Sequence, residues 1–354
     1  MNRLKKTISK LLSHAGIRVS LIKKRGKETL GHYVDVVAPK NSKLFKNNSK
    51  AKLHFVEGAD QISWQHQDYY SPVTIPDNSL LSGMVEKGIE IGENSDIILN
   101  FSYDWLPIWM TLNLNIPIAH IVSMGSESSV INNLISKVYT KYPYSFAFHS
   151  KTQACDYPFI KNPIIIGNGF ELANYIFQGS MDGPLAWVGR VAPEKGLEDA
   201  AYVANALGEK LNVWGIIQDE SYASKVEKSF TSGIIEWRGF LETDKLQKEL
   251  GKCRALLNTP KWNEAYGNVI VEALACGVPV IAYKRGGPGE IILHGETGFL
   301  VEPDDKDSLL SCLKLVKKIN RRNCRDWVEH NASSNIFASK VLSWLNKVIE
   351  EYKF

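Results

Sequence analysis

The chain has 354 residues, 44% apolar and 23% charged, enough length for two cores and a composition that excludes collagen-like, disordered and disulfide-rich classes. Its formal charge is +4, but residues 1–27 hold nine Lys or Arg and no acid, and the remainder carries 33 basic against 38 acidic residues, a net −5. Basicity is therefore a local N-terminal feature and does not point to nucleic acid. In chain order, residues 2–14 place Leu4, Ile8, Leu11 and Leu12 on one helical face opposite lysines, the pattern of an amphipathic helix. Residues 16–22 then alternate like a strand, and residues 31–39 do so again, two candidates for one strand within twenty residues. The short apolar runs 96–101, 117–122, 144–149 and 163–167 predict buried strands of a parallel sheet.

The loop 178–184 opens a second series, with strands predicted at 185–188, 211–214, 234–237, 255–258 and 278–282 and helices between them, among them 198–207 and 243–253. Strand–helix alternation on both sides of a Gly/Pro break predicts two doubly wound α/β domains, 1–170 and 171–335, with a cleft between them as the default site. The amphipathic stretch 336–354 predicts a terminal helix packing back across the hinge. Five cysteines, an odd number with no CxxC spacing, indicate reduced thiols and a cytoplasmic protein. The eight histidines form no metal-ligand spacing, and no apolar run reaches the ~18 residues of a membrane span.

Two acids carry the strongest functional signal. Glu264 and Glu272 have seven residues between them in Glu264-Ala-Tyr-Gly-Asn-Val-Ile-Val-Glu272. A helix predicted to start near Gly267 or Asn268 puts Glu264 in the loop before it and Glu272 one turn inside, with roughly 10 Å between the carboxylates. A helix N-terminus between them favours an anion. Hydroxyl-seeking acids around a phosphate-seeking amide nest suit a nucleotide sugar. Arg190 and Lys195 sit in a Gly-bounded loop after a predicted strand and suit a diphosphate.

Other motifs leave two readings each. The glycines of residues 282–290 admit close approach of backbone to a ligand, or a plain turn. His120, inside an apolar strand before Ser123 and Met124, reads as a buried hydrogen-bonded histidine or as a sugar contact at a strand end. Tyr103 and Asp104 follow another strand end, where Asp104 either holds an acceptor group or caps a turn. The basic N-terminal segment is a membrane-surface anchor or a solvated helix, and the solvated reading is favoured.

Taken together, Gly189-Arg190…Glu194-Lys195-Gly196, residues 237–240, Glu264…Glu272 through Val280, Gly286-Gly287…Glu290 and residues 295–304 resemble the family-4 retaining glycosyltransferases of the GT-B fold. Within them, residues 96–107, 119–126, 187–200 and 259–262 are most similar to the cyanobacterial-type UDP-glucose:tetrahydrobiopterin glucosyltransferases. The resemblance implies that Arg190 and Lys195 neutralise the departing diphosphate and that Glu264 meets the transferred sugar. It implies that Glu272 holds the ribose, that amides of Tyr266, Gly267, Asn268 and Val269 hold phosphate, and that Gly189, Arg238 and Gly239 line the nucleotide. His120 would face the sugar, and Tyr103, Asp104, Ser123 and Met124 the acceptor. No cofactor and no metal is implied, since Arg and Lys serve the diphosphate and no Asp-x-Asp metal motif sits at the site. The partners implied are UDP-glucose and a pterin.

The resemblance breaks at the start of the chain. Family members open with a hydrophobic strand and a Gly-rich loop, whereas here Met1 leads into Arg-Leu-Lys-Lys. That implies a first domain without its opening strand and loop. Three functional readings follow: glucosyl transfer to a reduced pterin, the same chemistry on a lipid or polysaccharide, and an inactive nucleotide-sugar-binding remnant.

Overall fold

The structure is a computed structural model that describes residues 19–24, 32–40, 42, 51–64 and 67–352. The basic segment 2–14 and the loop 25–31 lie outside the described residues. The chain divides into two units, residues 1–169 with 334–354, and residues 170–333.

The first unit is built on a seven-stranded sheet: β1 (Val19–Lys24), β2 (His32–Pro39), β3 (Lys52–Val56), β4 (Ile97–Asn100), β5 (Ile118–Val122), β6 (Phe146–Phe148) and β7 (Ile164–Ile165), in the order β3-β2-β1-β4-β5-β6-β7. Strands β4 to β7 are parallel, and every residue of β4, β5 and β6 is buried, which is why they read as unbroken apolar runs. The two rival segments near the start both form strands. β1 runs antiparallel to β2 and to β4, pairing with both. β1 occupies the place between β2 and β4 in the sheet. A hairpin needs only a short connection between its strands, whereas a parallel pair needs a crossover of a dozen residues or more.

Helices α1 (Leu80–Gly92), α2 (Trp105–Met110), α3 (Ser129–Lys141) and α4 (Lys151–Cys155) follow the strands. Side chains alternate across the sheet. Val34, Val36, Ile97, Leu99, Ala119, Ile121 and Ala147 pack with Phe337, Val341, Trp344, Leu345 and Val348 of the terminal helix Ser334–Glu351. That helix is thus part of the first unit's core. The opposite register of β5 and β6 joins Val122, Phe146 and Phe148 to Ile131, Ile135 and Val138 of α3.

The second unit has six parallel strands, β8 (Leu185–Val188), β9 (Leu211–Trp214), β10 (Ile235–Gly239), β11 (Ala255–Asn258), β12 (Val280–Tyr283) and β13 (Gly298–Val301), in the order β10-β9-β8-β11-β12-β13. β13 was not among the predicted strands. It is four residues long and begins on a glycine within a turn-rich stretch. Helices α5 (Leu197–Leu207), α6 (Glu220–Lys228), α7 (Thr243–Gly251), α8 (Asn268–Ala275), α9 (Pro288–Ile291), α10 (Lys306–Leu315) and α11 (Arg321–Asn331) connect and flank them. Among the described residues, no helix is long and apolar enough to cross a membrane.

Candidate active site

The strand order of the second unit reverses direction at β8, which has β9 on one side and β11 on the other. Open α/β sheets bind ligands at the carboxyl ends of their strands beside such a switch point. Gly189 and Arg190 leave β8 there, and residues 259–264 leave β11.

Backbone contacts lock these two exits together. Gly196 has φ 64°, and a Cβ there would lie 2.0 Å from the Thr259 carbonyl oxygen, so only glycine fits. Thr259 Oγ1 donates to Gly196 O at 2.7 Å, and the Lys261 amide donates to Glu194 O at 2.8 Å. The Lys195 ammonium is thereby delivered to Glu264, with Nζ 2.7 Å from Oε2 and each side chain 18% exposed. Trp262 completes the cluster: its Nε1–H donates to the same Oε2 at 3.2 Å, and its ring lies under Nζ with 4.4 Å to the centroid.

The glycines after β12 explain where Glu264 sits. The Gly287 amide donates to Glu264 O at 2.7 Å, and the Glu264 amide to Arg285 O at 3.3 Å. A Cβ on Gly286 would lie 2.3 Å from Glu264 O, and one on Gly287 2.2 Å from Tyr266 O. Close approach is the reason for the glycine pair, and what approaches is the Glu264–Tyr266 backbone.

Helix α8 begins as predicted near Gly267, but Gly267 itself, with φ 101°, is the N-cap and Asn268 is the first helical residue. Gly267 has no side chain with which to cap the helix, and the first turn holds no acidic residue; the dipole of α8 is positive at this end. Glu272 lies one turn inside and accepts from Tyr175 Oη at 3.4 Å. Burial pushes the Glu272 carboxyl up to about 7, against a small lowering by that hydrogen bond. Tyr175 is raised well above the usual phenol range by burial and by the Glu272 charge.

Two expected donor residues are engaged elsewhere. Arg190 is held by Gln218 Oε1 and by Glu194 at 3.3 Å. Arg238 pairs with Glu236 and donates from Nε to Asn212 Oδ1 at 3.1 Å. Gly239 accepts from the Gly215 amide at 3.0 Å, and Gly189 donates to Trp214 O at 3.0 Å, so the ends of β8, β9 and β10 are knit by backbone.

In the first unit His120 lies inside β5. It is 2% exposed and stacks on Phe146 with ring centroids 5.1 Å apart. Nδ1 accepts from Asn100 Nδ2 at 3.0 Å. Nε2 lies 2.7 Å from Thr111 Oγ1, whose own proton goes to Pro107 O at 3.1 Å. Thr111 must then accept from Nε2–H, which fixes the neutral tautomer and uses both ring nitrogens. Burial pushes the imidazole down to about 3. His120 thus has the surroundings of the first of its two readings, a buried imidazole with both ring nitrogens hydrogen-bonded.

Asn100 extends the network. Its amide bridges Ser102, donating to O at 2.8 Å and accepting from N at 3.0 Å, and so shapes the loop to Tyr103 and Asp104. Asp104 caps α2, its Oδ1 accepting the Trp105 amide at 2.8 Å. Tyr103 Oη is buried, accepting from the Glu127 amide at 3.2 Å and from Tyr157 Oη at 3.3 Å, and burial raises it to about 12. Ser123 is exposed on the loop after β5, and Met124 beside it is half-buried. Trp262 and Tyr175 were given no site role from sequence. Trp262 stood in a quoted stretch, but its partner Lys195 is 67 residues away; Tyr175 is 97 residues from Glu272 and carried no local signal.

Residues 181–333 match the family model for glycosyl transferases group 1. An uncharacterized glycosyltransferase of Methanocaldococcus jannaschii is 28% identical over 77% of this chain and 81% of its own length. Sucrose synthase 1 of Hordeum vulgare is 24% identical over 80% of this chain, which spans only 36% of that protein. The structure of Anabaena Alr3699/HepE in complex with UDP and glucose superposes with a TM-score of 0.66 at 16% identity, covering 84% of this chain and 86% of that one. Sucrose-phosphate synthase from Thermosynechococcus elongatus gives 0.69 at 16% identity, covering 87% of each chain. The fold is GT-B. The match to glycosyl transferases group 1 falls within the second unit.

Proposed function

We propose that this chain transfers glucose from UDP-glucose to a reduced pterin of the tetrahydrobiopterin type, with retention of anomeric configuration. The observation that carries the donor half is the Lys195–Glu264 pair at the carboxyl ends of β8 and β11, in the loop that leads into α8. A cation, an acid and a helix N-terminus within one domain suit diphosphate, sugar and ribose in turn. The Anabaena neighbour, solved with UDP and with UDP-glucose, supports the choice of nucleotide and hexose. The acceptor rests on the likeness of residues 96–107, 119–126 and 259–262 to pterin glucosyltransferases.

In this reading Lys195 and Arg190 stabilise charge on the departing diphosphate, and first-turn amides of α8 hold its phosphates. Glu264 orients the sugar and Glu272 the ribose. The acceptor hydroxyl attacks on the face the diphosphate leaves, and a phosphate oxygen takes its proton. The protein contributes positioning and electrostatics. Metal is not required, because the cations of the site are side chains.

The test is incubation of the purified chain with UDP-glucose and tetrahydrobiopterin, following UDP release and the glucosylated pterin by mass spectrometry, with the anomer read by NMR. An α-glucoside is expected. A second reading, with a lipid acceptor, is favoured by Ile62, Tyr70 and Ile75, large apolar side chains exposed on the first unit. Glucose appearing on a lipid and not on the pterin would decide for it. UDP binding without transfer to any acceptor would make the chain a remnant.

A further inference from the structure

We propose that Trp262 is a positioning residue that sets both halves of the donor site, an inference that rests on the donor reading above. One indole serves two charged groups by two different interactions. Its face lies 4.4 Å from Lys195 Nζ, the geometry of a cation–π contact. Its edge donates Nε1–H to Glu264 Oε2 at 3.2 Å, the oxygen that Lys195 also reaches at 2.7 Å. The three groups form a closed triangle.

The triangle matters because a donor has to open one side of it. A lysine ammonium has three protons, and a diphosphate competes with Glu264 for them. Once the ion pair loosens, Lys195 keeps its place over the ring, which needs no proton. Glu264 keeps its place through the indole N–H. Trp262 therefore holds the cation where the diphosphate arrives and the acid where the sugar arrives, while their mutual attraction is being exchanged for contacts to the ligand. The ring itself is fixed by the exit of β11, where the neighbouring Lys261 amide is bonded to Glu194 O at 2.8 Å and its ammonium to Asp304 at 2.8 Å.

The two interactions separate by substitution. Trp262→Phe retains a ring face and loses the N–H; Trp262→Leu loses both. The side chain is half-buried at the surface of the loop, and thermal unfolding of each variant checks that it folds. UDP affinity, measured by calorimetry, reports on Lys195; turnover of UDP-glucose reports on Glu264 as well. Trp262→Phe should leave UDP affinity within about twofold and lower turnover about tenfold. Trp262→Leu should weaken UDP binding about fivefold and lower turnover about 30-fold. In a Lys195→Met background, Trp262→Leu should cause no further loss of UDP affinity. Equal UDP affinities for wild type and Trp262→Leu, an equal loss in both Trp262 variants, or an additive loss on Lys195→Met overturns the role of Trp262 alone. A wild-type chain that binds no UDP overturns the donor reading and this inference with it.

Discussion

Replacing His120 by glutamine should flatten the acid side of the protein's stability profile. The imidazole is buried and neutral in the folded chain, pushed down to about 3, while in the unfolded chain it titrates at its ordinary 6.5. Between those values the unfolded state binds one more proton than the folded state, so stability rises with pH and is lost as pH falls below 6.5. Each unit of pH costs about 1.4 kcal/mol, so at pH 4.5 the wild type should have lost about 2.7 kcal/mol to this one residue. At about 2–4 °C per kcal/mol for a domain of this size, the melting temperature should fall by roughly 5–11 °C. Other groups oppose it. Burial raises Glu351 to about 7, so it binds a proton preferentially in the folded state between pH 4.5 and 7, and burial also raises Glu127 and Asp156, which act in the same direction. His149, also lowered by burial, adds to the acid loss. The difference between wild type and His120→Gln isolates the His120 contribution. Thermal unfolding at half-unit steps from pH 4.5 to 7.5, followed by circular dichroism, measures it. Glutamine leaves one of the two hydrogen bonds of the imidazole unmade, so the variant should be less stable at pH 7 but converge on the wild type in acid. Parallel curves would refute the argument. So would a His120→Gln protein of wild-type stability that has lost its turnover, because that is the signature of a ligand contact.

Three further outcomes are expected. Glu264→Ala should lower turnover by about 10²–10³, as loss of a group acting on the developing charge does, while Glu272→Ala should weaken UDP-glucose binding about tenfold with little change in kcat; equal, negligible effects in a steady-state assay would refute both roles. Glu272 is raised to about 7, so without donor its folded carboxyl favours the proton, and stability is lost as pH rises from 4.5 through 7; Glu272→Gln should therefore melt higher than wild type at pH 8, and a lower melting point at that pH contradicts the assignment. Gly286→Ala places a Cβ 2.3 Å from Glu264 O at a φ of 81°; it should cost at least about 1–3 kcal/mol of stability and reduce donor affinity, both read by thermal shift with and without UDP.

The fold was legible where burial made it so. Residues 97–100 and 118–122 are buried on both faces, and an unbroken apolar run is what that demands. Direction was not legible. Alternation along residues 16–22 indicates a strand, but the same alternation serves an antiparallel and a parallel neighbour, and β1 turned out to pair antiparallel on both sides. The site divides in the same way. Residue type identified Lys195 and Glu264 separately, because a cation after one strand and an acid after another suit a nucleotide sugar. Their contact spans 69 residues and depends on Gly196, Thr259, Gly286 and Gly287 bringing backbones within hydrogen-bond range, and nothing local encodes that.

His120 marks the limit most clearly. A lone histidine in an apolar strand is equally well a ligand contact or a satisfied core group until its partners are known, and those partners, Thr111 and Asn100, lie 9 and 20 residues away on other elements. By holding Asn100, which bridges Ser102, the imidazole sets the loop that carries Tyr103 and Asp104. A side chain expected to touch the sugar instead shapes the strand exit that the pterin reading assigns to the acceptor.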